Sequence, residues 1–423
     1  MRCKPFLAIF SCLFAGVVAH AAEKEKPSLI LKQAPATKSA DPSLAAVPTP
    51  GGTPPLDTLT SPDAEKLFQQ SLHKLCSQVN GSTNAKMPFI SECGPWPGMQ
   101  VPAASLLGLV LLGEGNTLTR GPHFGTLRKL AVYVRSAGPA PHESIDNYRT
   151  WVLSFAILFL CETNRVSPSD TDRKLIQEMV TKLEGGAYAD GGWGHTLEHE
   201  RNSYGAFAAA TIWATAALAT AKEQGLDVDE KKLKRQFAWL RATLGGQTGG
   251  SFYSVKDRWM VSPGRTAGTI WALHRWDALD SAKQVEAGAA FVARHAKLTP
   301  EGHASGMMNF GWGALAAGKV GGDAAKEFWA AHVKSIYAAR RADGSFAPQP
   351  WRDLVIFDQQ GAPAFVQKQL KPTSDDRAGD GWAGVWMLTS WQAAREKSVL
   401  CGKRVVVKDN AAAPKTPNRP ADK

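Results

Sequence analysis

Between residues 62 and 398 the chain alternates two kinds of segment, and the alternation predicts its architecture. The first kind is amphipathic: spans 63–79, 124–136, 170–183, 229–244, 281–296 and 323–341 carry apolar residues at three- and four-residue steps with charge between them. In the fourth, Leu233, Phe237, Leu240 and Leu244 share one helical face while Lys231, Lys232, Lys234, Arg235 and Arg241 fill the other. Such a helix packs on one side only. The second kind, 101–112, 148–161, 203–221, 265–276, 306–318 and 382–394, is apolar all round and mixes Ala, Gly, Ser and Thr with Leu and Trp. A helix with no polar face belongs inside a larger helical assembly. Six pairs in strict alternation read as a repeat that closes on itself. They predict an all-α fold, an (α/α)6 toroid of six outer and six inner helices.

The junctions fit that plan. Gly191-Gly192-Trp193, Gly250-Ser251-Phe252, Gly344-Ser345-Phe346 and Asp380-Gly381-Trp382 set an aromatic just after glycine where an outer helix gives way to an inner one. Glycine stops the first helix and the ring plugs the gap beside the second. These loops should gather at one mouth of the ring.

The ends of the chain read differently. Residues 1–21 have a short basic start, an apolar run and small residues at Ala19 and Ala21, the layout of a cleavable secretory signal. Residues 22–61 are a Pro/Ala/Thr-rich linker and 399–423 a basic tail, so the toroid is expected over 62–398 and the protein in the periplasm or secreted. The formal charge of +11 is spread over helix faces and this tail, without the basic-aromatic clustering of a nucleic-acid groove. No integral membrane segment is expected after signal cleavage. Export permits disulfides, and Cys76 with Cys93 closes a short loop; Cys161, in an apolar run, reads as a core thiol.

Candidate chemistry concentrates in the loop after residue 190. His195-Thr196-Leu197-Glu198-His199 fits the H-x-x-E-H zinc pattern, which requires both imidazoles on one helical face. The same loop, with His199, Arg201, Asn202 and Tyr204, also holds the types a polysaccharide lyase needs: a cation to neutralise a uronate and a base to move the proton. Tyr148, Arg149, Arg258 and Arg265 could face it across the mouth. Trp193 and Tyr253 beside the junction glycines, and Asn309 and Trp312 on the fifth inner helix, complete an expected ligand-contacting set with Arg201, Asn202 and Arg265. Trp151, Trp213, Trp271, Trp312 and Trp386 all fall on inner helices, so a central cavity would be aromatic and apolar.

Trp239-Leu240, Gln247 and Gly250-Ser251-Phe252 resemble the loop pattern of the prenyltransferase and squalene-cyclase repeat superfamily. The resemblance spans the repeats and implies a terpenoid-cyclase-like toroid. It also marks Thr373-Ser374-Asp375-Asp376 as the nearest match to the cyclase acid, which makes Asp375 and Asp376 catalytic candidates beside His195, His199 and Tyr204. No cysteine has an aspartate two positions before it, so the zinc site of protein prenyltransferases is not implied, and no metal or cofactor is assigned. The main expectation is an exported toroid that binds an apolar or extended ligand, small-molecule, lipid or glycan, in its central cavity or loop mouth. The alternative is a lyase-like glycan enzyme or a metal-dependent hydrolase using residues 195–204.

Overall fold

The computed structural model describes residues 57–81, 97–140, 147–201, 205–245, 248–256, 258, 260–302, 305–348, 353–357, 363–368 and 374–403. All lie in one compact unit, Ser43–Lys423. The expected signal, most of the linker and Cys93 lie outside them.

Twelve long helices follow in order, odd numbers outside and even numbers inside. They are α1 (Pro62–Asn80), α2 (Gln100–Gly113), α3 (Phe124–Ala137), α4 (Arg149–Val166), α5 (Asp170–Gly185), α6 (Ala208–Glu223), α7 (Glu230–Thr243), α8 (Pro263–Trp276), α9 (Ala278–Arg294), α10 (Gly306–Val320), α11 (Gly322–Ala339) and α12 (Ser374–Ala394). Each inner helix packs on the next, α2 to α4 and onward to α12, and α12 returns to α2 to close the ring. The fold is the expected (α/α)6 toroid. The split follows from composition: every residue of α6 from Ala208 to Ala221 is buried, whereas α7 buries only Leu233, Gln236, Phe237, Trp239, Leu240 and Thr243. The outer helix starts with its own cap, the Asp229 carboxylate accepting from the backbone N–H groups of Lys231 and Lys232 at 2.9 and 3.0 Å.

At mid-height the ring is filled. Trp213 of α6 is the hub, its ring centroid 4.4 Å from Phe155, 5.3 Å from Trp271, 6.2 Å from Trp312 and 6.0 Å from Trp386, and all five side chains are fully buried. Glycines make room for them. A Cβ on Gly268 would lie 2.7 Å from the Trp312 ring, and one on Gly311 would run into Trp386. The expected apolar cavity is, at this level, a packed aromatic core.

The seam of the ring joins the two ends of the repeat array. Arg395, just after α12, reaches Glu65 of α1 and Glu114 at the end of α2, the latter at 3.2 Å. Trp391 donates its indole N–H to Leu59 O at 3.0 Å, and Gln392 donates to Val110 O at 2.8 Å.

Two features depart from the sequence expectation. The α11–α12 connection carries an antiparallel ribbon, β1 (Asp353–Phe357) and β2 (Pro363–Lys368), with Val355 opposite Val366 and an irregularity between Ile356 and Phe357. The basic tail begins later than residue 399: Val399, Leu400 and Cys401 form a buried 3-10 turn against α2 and α10, and Leu400 O accepts the Trp271 indole N–H at 3.0 Å. Cys161 is a buried free thiol, as are Cys76 and Cys401, and burial raises the pKa of all three.

Candidate functional site: an aromatic mouth at the amino ends of the inner helices

The first backbone N–H groups of a helix have no partner within it and must find one outside. In this ring the junction loops supply several. Thr150 N of α4 donates to His195 O at 3.1 Å, and Ala208 N of α6 donates to Tyr253 O at 2.8 Å. Each loop thus leans back over the inner helix of the preceding pair, which carries His195 above α4 and Tyr253 above α6. The loop bases are pinned by equivalent threonines: Thr211 Oγ1 accepts from Trp193 N at 2.9 Å and Thr266 Oγ1 from Ser251 N at 2.7 Å. Each threonine hydroxyl in turn donates to the carbonyl four residues back, of Phe207 and Ser262. That correspondence aligns Trp193 with Ser251 and leaves Phe252 one position on.

These bonds bring rings from four different segments together. His195 lies with its ring centroid 5.3 Å from Tyr148, 6.0 Å from Trp151 and 4.6 Å from Phe207. Phe207 stacks on Tyr253 at 5.4 Å and 7°. Trp151 donates its indole N–H to His195 Nδ1 at 3.0 Å. An indole is a donor only, so Nδ1 is the acceptor and the neutral imidazole carries its proton on Nε2. Trp151 and Phe207 are buried, whereas Tyr148, His195 and Tyr253 are half-buried, so the rings form a floor with three accessible members. At its edge the Arg265 guanidinium lies 5.1 Å over the Tyr253 ring, and Arg265 Nη1 donates to Met260 O at 2.5 Å. Burial lowers the Arg265 pKa to about 10, which leaves it charged at neutral pH.

Of the residues expected to form the site, Tyr148, His195, Tyr253 and Arg265 converge here. His199 does not: its ring stacks on Tyr188 at 4.0 Å and 12°, with Nε2 3.2 Å from Gly186 O. Arg201 pairs with Glu198 at 3.1 Å on an exposed 3-10 turn. The H-x-x-E-H segment is therefore bends and a short turn rather than a helix, and its two imidazoles engage different partners; among the described residues no three His, Cys, Asp or Glu side chains converge to hold a metal. Trp193 is a plug rather than a ligand contact, fully buried with its indole N–H donated to Leu183 O at 2.9 Å. Trp312 is likewise spent on the central aromatic core. Asn309 is buried in the first turn of α10. Asp375 and Asp376 stand in the first turn of α12, described there by their backbone. Asn202 and Tyr204 lie outside the described residues. The sequence reading missed Trp151 and Phe207 as site members; the signal was an aromatic in the first turn, or at the cap, of an inner helix.

The opposite end of the ring holds a cavity of about 640 Å³ lined by Glu162, Arg165, Glu223, Arg275, Lys319 and Lys403. Its charges are largely matched from within: Arg165 binds Glu162 at 2.5 Å and Arg275 grips Glu223 with two bonds of 2.6 and 2.8 Å. Burial raises the Glu162 pKa against the pull of Arg165. Cations are stabilising at helix carboxyl ends, and the last turns of α4, α6, α8 and α10 each contribute charged residues to this cluster.

Fold and site together define an α/α toroid with an aromatic mouth at the amino ends of its inner ring. The chain belongs to the family described as domain of unknown function DUF6288, whose model matches residues 98–360. No curated protein matches it. Among solved structures it is similar to the GH76A alpha-1,6-mannanase from Salegentibacter sp. HEL1_6, at 12% identity over 78% of this chain and 98% of that one, with a TM-score of 0.51. It is also similar to a glycosyl hydrolase family 88 protein from Bacteroides vulgatus, at 10% identity over 79% and 99% of the two chains, with a TM-score of 0.49. The resemblance to prenyltransferases and squalene cyclases is thereby corrected: neither the family match nor the toroid with the higher score points there. The junction glycines do not stop helices as expected: Gly191, Gly250 and Gly344 stand in the loops after α5, α7 and α11 have ended, and Gly381 lies within α12, while Trp193, Phe252 and Phe346 are buried plugs. Among the described residues no helix is long and apolar enough to cross a membrane.

Proposed function

We propose that the aromatic mouth binds a carbohydrate chain and that this exported protein acts on glycans. The observation that carries the reading is the floor of Tyr148, Trp151, His195, Phe207 and Tyr253, drawn from separate repeats to one end of a ring whose centre is filled. Sugar rings present flat C–H faces that pack on aromatic faces, while their hydroxyls need polar groups at the rim. The mouth offers both, and the fold shared with an alpha-1,6-mannanase supports the assignment. Apolar ligands fit less well, because the axis that would receive them is occupied by indoles.

For turnover, the neutral imidazole of His195 with its proton on Nε2 is a proton-transfer group at the mouth. Asp375 and Asp376, at the amino end of α12, supply the carboxylates that glycosidic cleavage requires. The test is retention of the purified protein in native gels cast with polysaccharides, alpha-1,6-mannan among them, together with release of new sugar ends. Retention by at least one glycan is expected, weakened about tenfold by His195→Ala or Tyr253→Ala, the loss from one or two ring contacts. Asp376→Asn should stop sugar release and spare retention. If no glycan retards the protein, or the two mouth variants are retarded as strongly as the wild type, the reading is wrong.

A further inference from the structure

Arg265 differs from the other arginines of the ring whose guanidinium groups are wholly or partly buried. Arg395 meets two glutamates, Arg135 binds Asp172 at 2.6 and 2.7 Å, Arg340 binds Ser71 and Gln70, and Arg149 donates to two backbone carbonyls. Arg265 is only 3% exposed, yet among the described residues its guanidinium makes one hydrogen bond, to Met260 O, and pairs with no carboxylate. A buried charge is strongly disfavoured without a counter-charge and full hydrogen bonding. Stacking on Tyr253 covers one face of the guanidinium and leaves four in-plane N–H donors for another acceptor. The group sits in the first turn of α8, where the positive end of the helix dipole also favours an anion.

From this we infer that Arg265 is the anion-recognising group of the mouth and that the bound glycan is acidic, presenting a carboxylate or sulfate beside the Tyr253 ring. The inference rests on the carbohydrate reading and narrows it. A planar guanidinium matches a carboxylate with two parallel hydrogen bonds, and a uronate carries its carboxylate in the same residue whose ring would stack on Tyr253. A sulfate ester offers similar acceptors on a tetrahedral group. Proton transfer is not part of Arg265's role, since it stays charged throughout; it is a specificity-determining residue.

The experiment compares three probes on the full chain by calorimetric titration: an oligogalacturonate, the same oligosaccharide with its carboxyls reduced to neutral alcohols, and a sulfated oligosaccharide of equal length. The wild type should bind an acidic probe at least about tenfold more tightly than the carboxyl-reduced one, the worth of a charge-assisted pair. The preferred acid, carboxylate or sulfate, identifies the source of the charge. Arg265→Gln should bring the acidic and carboxyl-reduced probes to equal affinity, whatever its effect on the affinity itself, and Arg265→Lys should retain part of the preference. Equal affinity of the wild type for acidic and carboxyl-reduced probes overturns the inference and leaves glycan binding standing. Failure of every probe, with none retained in the polysaccharide gels, removes both. The wild-type comparison needs no variant, so it decides even if Arg265→Gln fails to fold.

Discussion

His332 of α11 makes the stability of the ring depend on pH in a calculable way. Its side chain is buried against Phe310 and Phe328, with Nε2 2.7 Å from Ala296 O. Burial lowers its pKa from the ordinary 6.5 to about 4, the bond to Ala296 offsetting only part of the desolvation. Between those values the unfolded chain binds a proton that the native state refuses, so stability rises with pH. The contribution is complete above about pH 6.5 and is lost as pH falls toward 4. At pH 4.5 the native state should have lost roughly 2–3 kcal/mol from this residue alone, most of its full effect. The assay is urea unfolding at steps from pH 7.5 to 4.5, for the wild type and for His332→Gln, whose amide can still donate to Ala296 O. Carboxylates and the other histidines titrate in both proteins, so the difference between the two curves isolates His332. The variant should be less stable at pH 7.5 and should close roughly 2–3 kcal/mol of the gap by pH 4.5. Parallel curves would refute the argument.

The packing and the seam give two further expectations. Gly311→Ala forces a methyl into the Trp386 ring and should destabilise by about 1–3 kcal/mol despite alanine's better helix propensity, read as a lower midpoint in chemical unfolding; an unchanged or higher midpoint would show that the central indoles yield freely. Arg395→Met strands the buried carboxylate of Glu114 and should cost about 3–5 kcal/mol, less whatever Lys397 at 3.6 Å restores. Adding Glu114→Gln to that variant should recover part of the loss, and failure to recover any would place the effect outside the ion pair.

The twelve helices were legible because burial imposes a period. A stave such as Ala208–Glu223, surrounded on all sides, can tolerate no charge until its last turn at Lys222, and an outer helix such as α7 must tolerate many on one face. The ribbon was not legible: Asp353–Phe357 and Pro363–Lys368 are two short runs in one long loop, below the length at which alternation stands out. Nor was the Val399–Cys401 turn, whose burial depends on Trp271 rather than on any local pattern. The site was legible in part. His195, Tyr253 and Arg265 were named from residue type, but the hydrogen bonds that gather them, Thr150 to His195 and Ala208 to Tyr253, join positions 45 residues apart and leave no trace in a linear reading. The zinc pattern misled for the converse reason: His195 and His199 are four apart in sequence, and only a helix turns that spacing into proximity.

The parallel arrangement of the inner helices also explains why the two ends of the ring differ chemically. Six amino ends at one face expose partly positive N–H groups, and six carboxyl ends at the other expose partly negative carbonyls. The chain places Arg165, Arg275, Lys319 and Lys403 at the carboxyl face, where the carbonyls and Glu162 and Glu223 meet them. At the amino face it spends junction carbonyls, those of His195 and Tyr253, on the N–H groups, and then adds Arg265, a cation placed where the dipoles already repel one. Arg149 holds a like place in α4 but donates to the Gly138 and Ala140 carbonyls, whereas Arg265 has four donors without an acceptor among the described residues. An anionic ligand supplies one, and the dipoles and the guanidinium would then act on it in the same direction.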